Sequence, residues 1–224
     1  MLLLSCFLWV ACQPKSITQP SLQSYKVGTI PQFNSFQTLN EAEQQYVTSM
    51  PNDNALTGAS AFKTNRSRIF FDHVIKNGAI EKQDSTALKS ISIPCNCILK
   101  EDTLHLNTGI GMMGGFGFNL KIHKKKAFSE FYMYTDDIKP YKSSLADTAF
   151  QRYALVANQK SNPILEEQPQ FVLAEQLNGL LSFKTLPIYE RTFIKEENDK
   201  LYSRTIEGRV FFTCKVRKKL LWER

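Results

Sequence analysis

Cys95-Asn96-Cys97 is the densest chemistry-bearing motif of the chain, because residues two apart in an extended strand point their side chains to one face. Cys214 lies on a distant segment, and together the three thiols offer two kinds of chemistry. In an oxidising compartment they predict a cross-strand disulfide with one thiol left over. As soft ligands, Cys95 and Cys97 with His105 or His123 would hold copper or zinc. A single C-x-C without a second pair at ligand spacing favours structural thiols or a disulfide, so neither metal nor other cofactor is expected.

The remaining reactive residues are scattered. His73, His105 and His123 sit in no H-E-x-x-H pattern, and a Ser-His-Asp constellation cannot be assembled from their spacing. Glu166-Glu167, Asp136-Asp137 and Glu196-Glu197 are adjacent carboxylates in turn-rich text, whereas glycosidic acid pairs face each other across a cleft. The glycines of Asn107 to Gly117 do not make a phosphate loop, since no Gly-Lys-Ser/Thr closes the run and a strand, not a helix, follows. They predict a bend or the close approach of another backbone, the alternative being a flexible lip carrying Met112 and Met113. Phe128, Phe131, Tyr132, Tyr134 and Tyr141, with Phe183, Tyr189, Phe193 and Tyr202, suit an ordinary β core better than a ligand cavity.

These residues are positioned by strands. Phe116, Phe118, Leu120 and Ile122 alternate with polar partners, as do Val210, Phe212, Cys214 and Val216, the period of half-buried strands. Further strands are expected at 93–99, 103–106, 128–134, 151–156, 171–177, 180–186 and 201–206. Lys100-Glu101-Asp102, Lys124-Lys125-Lys126, Asp136-Asp137 and Glu197-Asn198-Asp199 read as turns between them. The fold class is therefore mainly β, an antiparallel meander forming a sandwich or barrel. Too few strands carry a clean lipid-facing surface for an outer-membrane barrel. One N-terminal helix is predicted over 61–76, where Phe62, Ile69, Phe70, His73, Val74 and Ile75 precede Asn77-Gly78, a helix-stopping pair.

The N-terminus supplies an address. Leu2 to Ala11 is apolar and uncharged, the length of a signal-peptide core and well short of the roughly 20 residues of a membrane span. Trp9-Val10-Ala11-Cys12 resembles the processing site of bacterial lipoproteins, with a small residue before the cysteine. Leu3-Leu4-Ser5-Cys6 spells a similar box but leaves almost no apolar run behind it. The resemblance implies that Cys12 becomes the N-terminus and carries a diacylglyceryl anchor, two acyl chains being enough for stable membrane attachment. It also implies the cell envelope. Gln13 is not the Asp that retains such proteins in the inner membrane, which favours the outer membrane, and Gln13-Pro14-Lys15-Ser16 lacks the acidic cluster of surface export, which favours its periplasmic face.

The charge of +7 would raise nucleic acid as a partner of a cytoplasmic protein, but no RNA- or DNA-binding motif accompanies it. The lysines of 124–126 and the basic residues Lys215, Arg217, Lys218 and Lys219 suit a solvated turn and tail. The expected organisation is a signal peptide at 1–11, a tether at 12–34, an N-terminal helical or irregular extension at 35–90 and an antiparallel β domain at 91–224. The expected function is non-enzymatic binding of an apolar or amphipathic ligand or of a protein partner in the envelope. The alternatives are an envelope hydrolase and a structural or assembly lipoprotein.

Overall fold

Alternating inward and outward residues become strands almost throughout the computed structural model, which describes residues 22–30, 44–45, 65–81, 93–111, 113–136, 138–191 and 200–218. The strands are β1 (Gln23–Ser24), β2 (Lys26–Val27), β3 (Arg66–Lys76), β4 (Ala79–Glu81), β5 (Ile93–Lys100), β6 (Thr103–Gly111) and β7 (Gly114–His123). They continue as β8 (Lys126–Thr135), β9 (Tyr141–Lys142), β10 (Tyr153–Leu165), β11 (Gln176–Thr185), β12 (Ile188–Arg191) and β13 (Leu201–Lys218). The eight long ones run in chain order round a ring, β3-β5-β6-β7-β8-β10-β11-β13, and β13 pairs antiparallel with β3 to close it. The mainly antiparallel meander is thus a closed up-and-down barrel, the arrangement that removes open edges from a sheet.

Its interior is a core. Phe118 stacks edge-on against Phe131 and Phe183 with ring centroids 5.1 and 4.3 Å apart, and Phe71 meets Phe116 at 4.9 Å. Towards the Lys124 end the filling turns aliphatic, with Leu104, Leu106, Leu120, Ile122, Leu165 and Leu177 around the three cysteines. Gly179 and Gly208 make room for this packing. A Cβ on Gly179 would fall inside the Phe212 ring, and one on Gly208 would meet Phe183 and the Phe70 carbonyl. For that reason the runs expected as separate strands at 201–206 and 210–216 join into β13, and 180–186 joins the end of 171–177 in β11.

The ring is flattened, with two corners. At one, β8 and β10 pair only from Glu130 to Tyr134, and β10 then bulges between Asn158 and Lys160 and bends towards β11. The strand segments of 23–27 fill the gap, Gln23 pairing with Ala127 and Val27 with Leu165. At the other corner β3 meets β5 through two residue pairs, and the end of β13 runs parallel to β5 through three. Each corner buries a polar pair: Asn158 Nδ2 donates to Ser129 Oγ at 2.7 Å, and the Ser67 and Thr108 hydroxyls bond each other. Such internal partners are what a buried hydroxyl or amide requires.

The expected helix over 61–76 is not formed: 66–76 is strand β3, and 61–64 lie outside the described residues. Gln44 and Gln45 are the helical residues among those described. Two features counterfeit the helical spacing. Asp72 is an extra residue, since His73 faces Glu207 while Phe71 faces Gly208, and this bulge resets the alternation so that Val74 again points inward. In addition, Phe70 on the outer face packs with Phe211, Leu180 and Ile30, so β3 is covered on both sides. Asn77 and Gly78, with φ of 50° and 83°, form the two-residue turn of a β3–β4 hairpin, which favours Asn-Gly for its positive φ values.

The boundaries move as well. Because β3 pairs along β13, the β domain begins well before residue 91. Residues 22–30, expected inside the tether, form a strap on the barrel: Gly28 N–H donates to Leu165 O at 2.9 Å, Gln23 accepts from Ser161, and Ile30 is buried.

Candidate functional site

The fold brings the three predicted cysteines together. Cys95 and Cys97 point inward from β5, and Cys214 points inward from β13 into the same buried cluster. All three are reduced and buried. Burial leads in pushing Cys95 and Cys214 up from the ordinary cysteine value, and the Cys214 thiol followed by burial does the same to Cys97, so they are held as neutral thiols and not as the thiolates that attack or ligate. His105 and His123 belong to the opposite, outward face: His105 stands between Ile98 and Lys121, and His123 Nδ1 lies 3.2 Å from Asp102. Among the described residues no group of three or more His, Cys, Asp or Glu is placed to hold a metal ion.

The outer face of β6, β7, β8 and β10 carries a second cluster. Gly109, Gly117, Tyr132 and Leu155 face one another across four strands, as do Gly111, Gly115, Tyr134 and Tyr153. The Tyr132 side chain lies back over the bare glycines, for a Cβ on either Gly109 or Gly117 would collide with its hydroxyl. One ring face is thereby packed on backbone, the arrangement in which an aromatic covers strand glycines. Tyr153 stacks on Tyr132 at 5.9 Å and 25°, Tyr134 lies 6.5 Å from Tyr132, and Tyr134 donates to Gly111 O at 2.7 Å. Met113 and Tyr153 at the rim are 74% and 45% exposed. Asn107, which donates to Asn119 at 2.6 Å, and Glu130 continue the face towards the lysine turn.

No family model, curated protein or solved structure matches the chain.

Sequence reasoning grouped the tyrosines with the core, and the structure divides that group. Phe131, Tyr141 and Phe183 are in the core, Tyr132 and Tyr134 are outside, and Phe193 lies outside the described residues. The legible signal was parity, since Tyr132 and Tyr134 share a face that excludes Phe131. Tyr153 was missed because its partners come from three other strands. The glycine run is the bend and close approach expected of it: a Cβ on Gly111 or Gly115 would strike the opposing backbone. Cys12 and the apolar run before it lie outside the described residues, as do Glu196, Glu197 and Asp137.

A third outer feature is a shallow groove of about 570 Å³ lined by Asp72, His73, Ser182, Glu207 and Arg209. It holds the residue types of a hydrolase, but its carboxylates are already committed. Arg209 Nη2 donates to Asp72 at 2.7 Å, and Lys184 pairs with Glu207. Of the adjacent Glu166-Glu167 pair, Glu166 accepts from Asn178 at 2.7 Å.

Proposed function

We propose that the protein is an envelope lipoprotein, anchored through a diacylglyceryl group on Cys12, whose barrel binds a protein partner on its outer tyrosine face. The observation that carries this reading is the pairing of an aromatic-packed interior with an outward shelf of half-buried Tyr132 and exposed Tyr153. Among the described residues the interior of this half is occupied by interlocked phenylalanine rings, which favours recognition on the outside. There, rigid tyrosines and an exposed methionine supply the contact types enriched at protein interfaces.

The placement of the strap supports the same reading. It reaches the barrel beside the lysine turn, where Ser24 pairs with Lys126 and the Tyr25 hydroxyl donates to Lys124 O at 2.9 Å. Residues 13–21 would then be the tether, with a reach of roughly 30 Å. The shelf surrounds the opposite end of β7 and β8, near Met113. Anchoring at Cys12 would hold the lysine end near the lipid and leave the tyrosine end facing the periplasm.

Native mass spectrometry of the protein released from its own membrane tests both parts. The expected species starts at Cys12 with two acyl chains and a bound partner chain, and a Met113→Ser/Tyr153→Ser variant keeps the acyl mass while losing the partner. An unacylated chain beginning at Met1 overturns the anchor. A partner retained by the variant overturns the shelf.

A further inference from the structure

Backbone pairing is sparse where the thiols lie. Strands β6 and β7 pair through nine residues and β7 and β8 through ten, whereas β3 and β5 share two pairs and β13 and β5 three. At this seam Asn65 is wedged between the strands, its carbonyl accepting from Cys95 N at 3.1 Å and its Oδ1 from Lys215 N at 2.7 Å. Cys97 pairs with Val216 just below the wedge. Cys214, two residues earlier on the same inward face, lies in one buried cluster with Cys95 and Cys97. Those two are consecutive inward residues of one strand, with Cα atoms about 6.7 Å apart, near the outer limit for a bridge between them.

We propose that the seam is a disulfide site in which Cys214 is the obligatory half and Cys95 or Cys97 the other, so that oxidation rivets β13 to β5. An oxidising compartment in the cell rests on the envelope reading; the geometry does not. With a small-molecule disulfide as oxidant, the Cys214 thiolate attacks one oxidant sulfur and expels a thiolate, leaving a mixed disulfide. A β5 thiolate then displaces the second oxidant thiol. Overall, two protein thiols lose two electrons and two protons while one oxidant disulfide becomes two thiols. The third cysteine can afterwards attack the Cys214 sulfur and release its neighbour, exchanging the partner without net redox change. Because the folded thiols are buried and neutral, closure takes place while the seam is open, during folding or transient separation of β5 from β13.

The test uses the full chain with Cys6→Ser and Cys12→Ser, which makes it independent of acylation and leaves the three seam thiols. Refolding from the reduced, denatured state in oxidised and reduced glutathione, followed by denaturing alkylation, should leave one reactive thiol where the reduced chain has three. Digestion without reductant should link a β5 peptide to the β13 peptide. Further replacement of Cys95 or of Cys97 by Ser should each still give a β5–β13 link, and replacement of Cys214 none. Three alkylated thiols after refolding, or a Cys95–Cys97 link, overturns the proposal even if no variant folds. Mapping the unaltered protein from its own membrane separates the two readings: reduced thiols there, with the link formed in glutathione, would remove the oxidising compartment and leave the site standing.

Discussion

The two halves of the barrel interior use the same alternation but different side chains. Under the Met113 hairpin, Phe71, Phe116, Phe118, Phe131 and Phe183 interlock. Towards the lysine turn, leucines and isoleucines surround Cys95, Cys97 and Cys214. The aromatic half gains area and ring geometry, with aromatic pairs contributing about 0.5–1.5 kcal/mol beyond burial. The thiol half places its three small cysteine side chains at the corner where backbone pairing is interrupted, among aliphatic neighbours and Phe212. The phenylalanine half thus backs the outer tyrosines, while the half with the sparser β5 pairing holds the thiols.

Truncation breaks this contrast most directly. Phe131→Ala removes a fully buried ring that meets four others and should cost about 3–5 kcal/mol. Cys97→Ala removes one sulfur from the thiol half and should cost about 1 kcal/mol. Urea unfolding of the two variants in reducing buffer measures both. Equal costs would mean that the halves are not energetically distinct.

Glycine substitution sharpens the comparison at the junction of the aromatic half and the outer shelf. A Cβ at Gly117 would meet the Thr108 carbonyl and the Tyr132 hydroxyl, so Gly117→Ala should cost about 1–3 kcal/mol by overpacking. Adding Tyr132→Ala to Gly117→Ala should recover the tyrosine's share and leave the carbonyl's. A double-mutant cycle by thermal unfolding reads the coupling between the two positions. Strict additivity would mean that the ring does not rest on Gly117.

The legible parts of this chain were those governed by local pattern. Period-two alternation located β5 to β8 and the ends of β13, and Lys100-Glu101-Asp102 and Lys124-Lys125-Lys126 are the expected turns, with Glu101 and Lys124 at φ of 55° and 52°. Failures came where distant segments decide. The strap covers the outer face of β3 and the bulge at Asp72 shifts its inner face, so 66–76 carries a helical spacing while being strand. Likewise, Cys95 and Cys97 were visible as a same-face pair, but their meeting with Cys214 depends on ring closure between the first and last long strands. Tyr153 joins Tyr132 only because β8 pairs with β10 across the intervening β9 and its loop.

The smallest expected effect concerns the outer face of the thiol half. His105, beside Lys121 and Lys100, is held below the ordinary histidine value chiefly by burial and then by those two lysines. The unfolded chain therefore takes up the proton first as pH falls. Above the unfolded value, near 6.5, histidine is neutral in both states and contributes no pH dependence. Stability should decline as pH passes downward through 6.5 and level off below the lowered folded value, because the unfolded state binds more protons across that window. His105→Gln should flatten this slope, and urea midpoints between pH 7.5 and 5 would measure it. The effect should be reduced but not abolished by salt, since burial leads and the lysine repulsions, which are partly screened, come second. A slope that vanishes entirely in salt would reverse that order and make the lysines, rather than the packing of His105 against the sheet, the dominant cause.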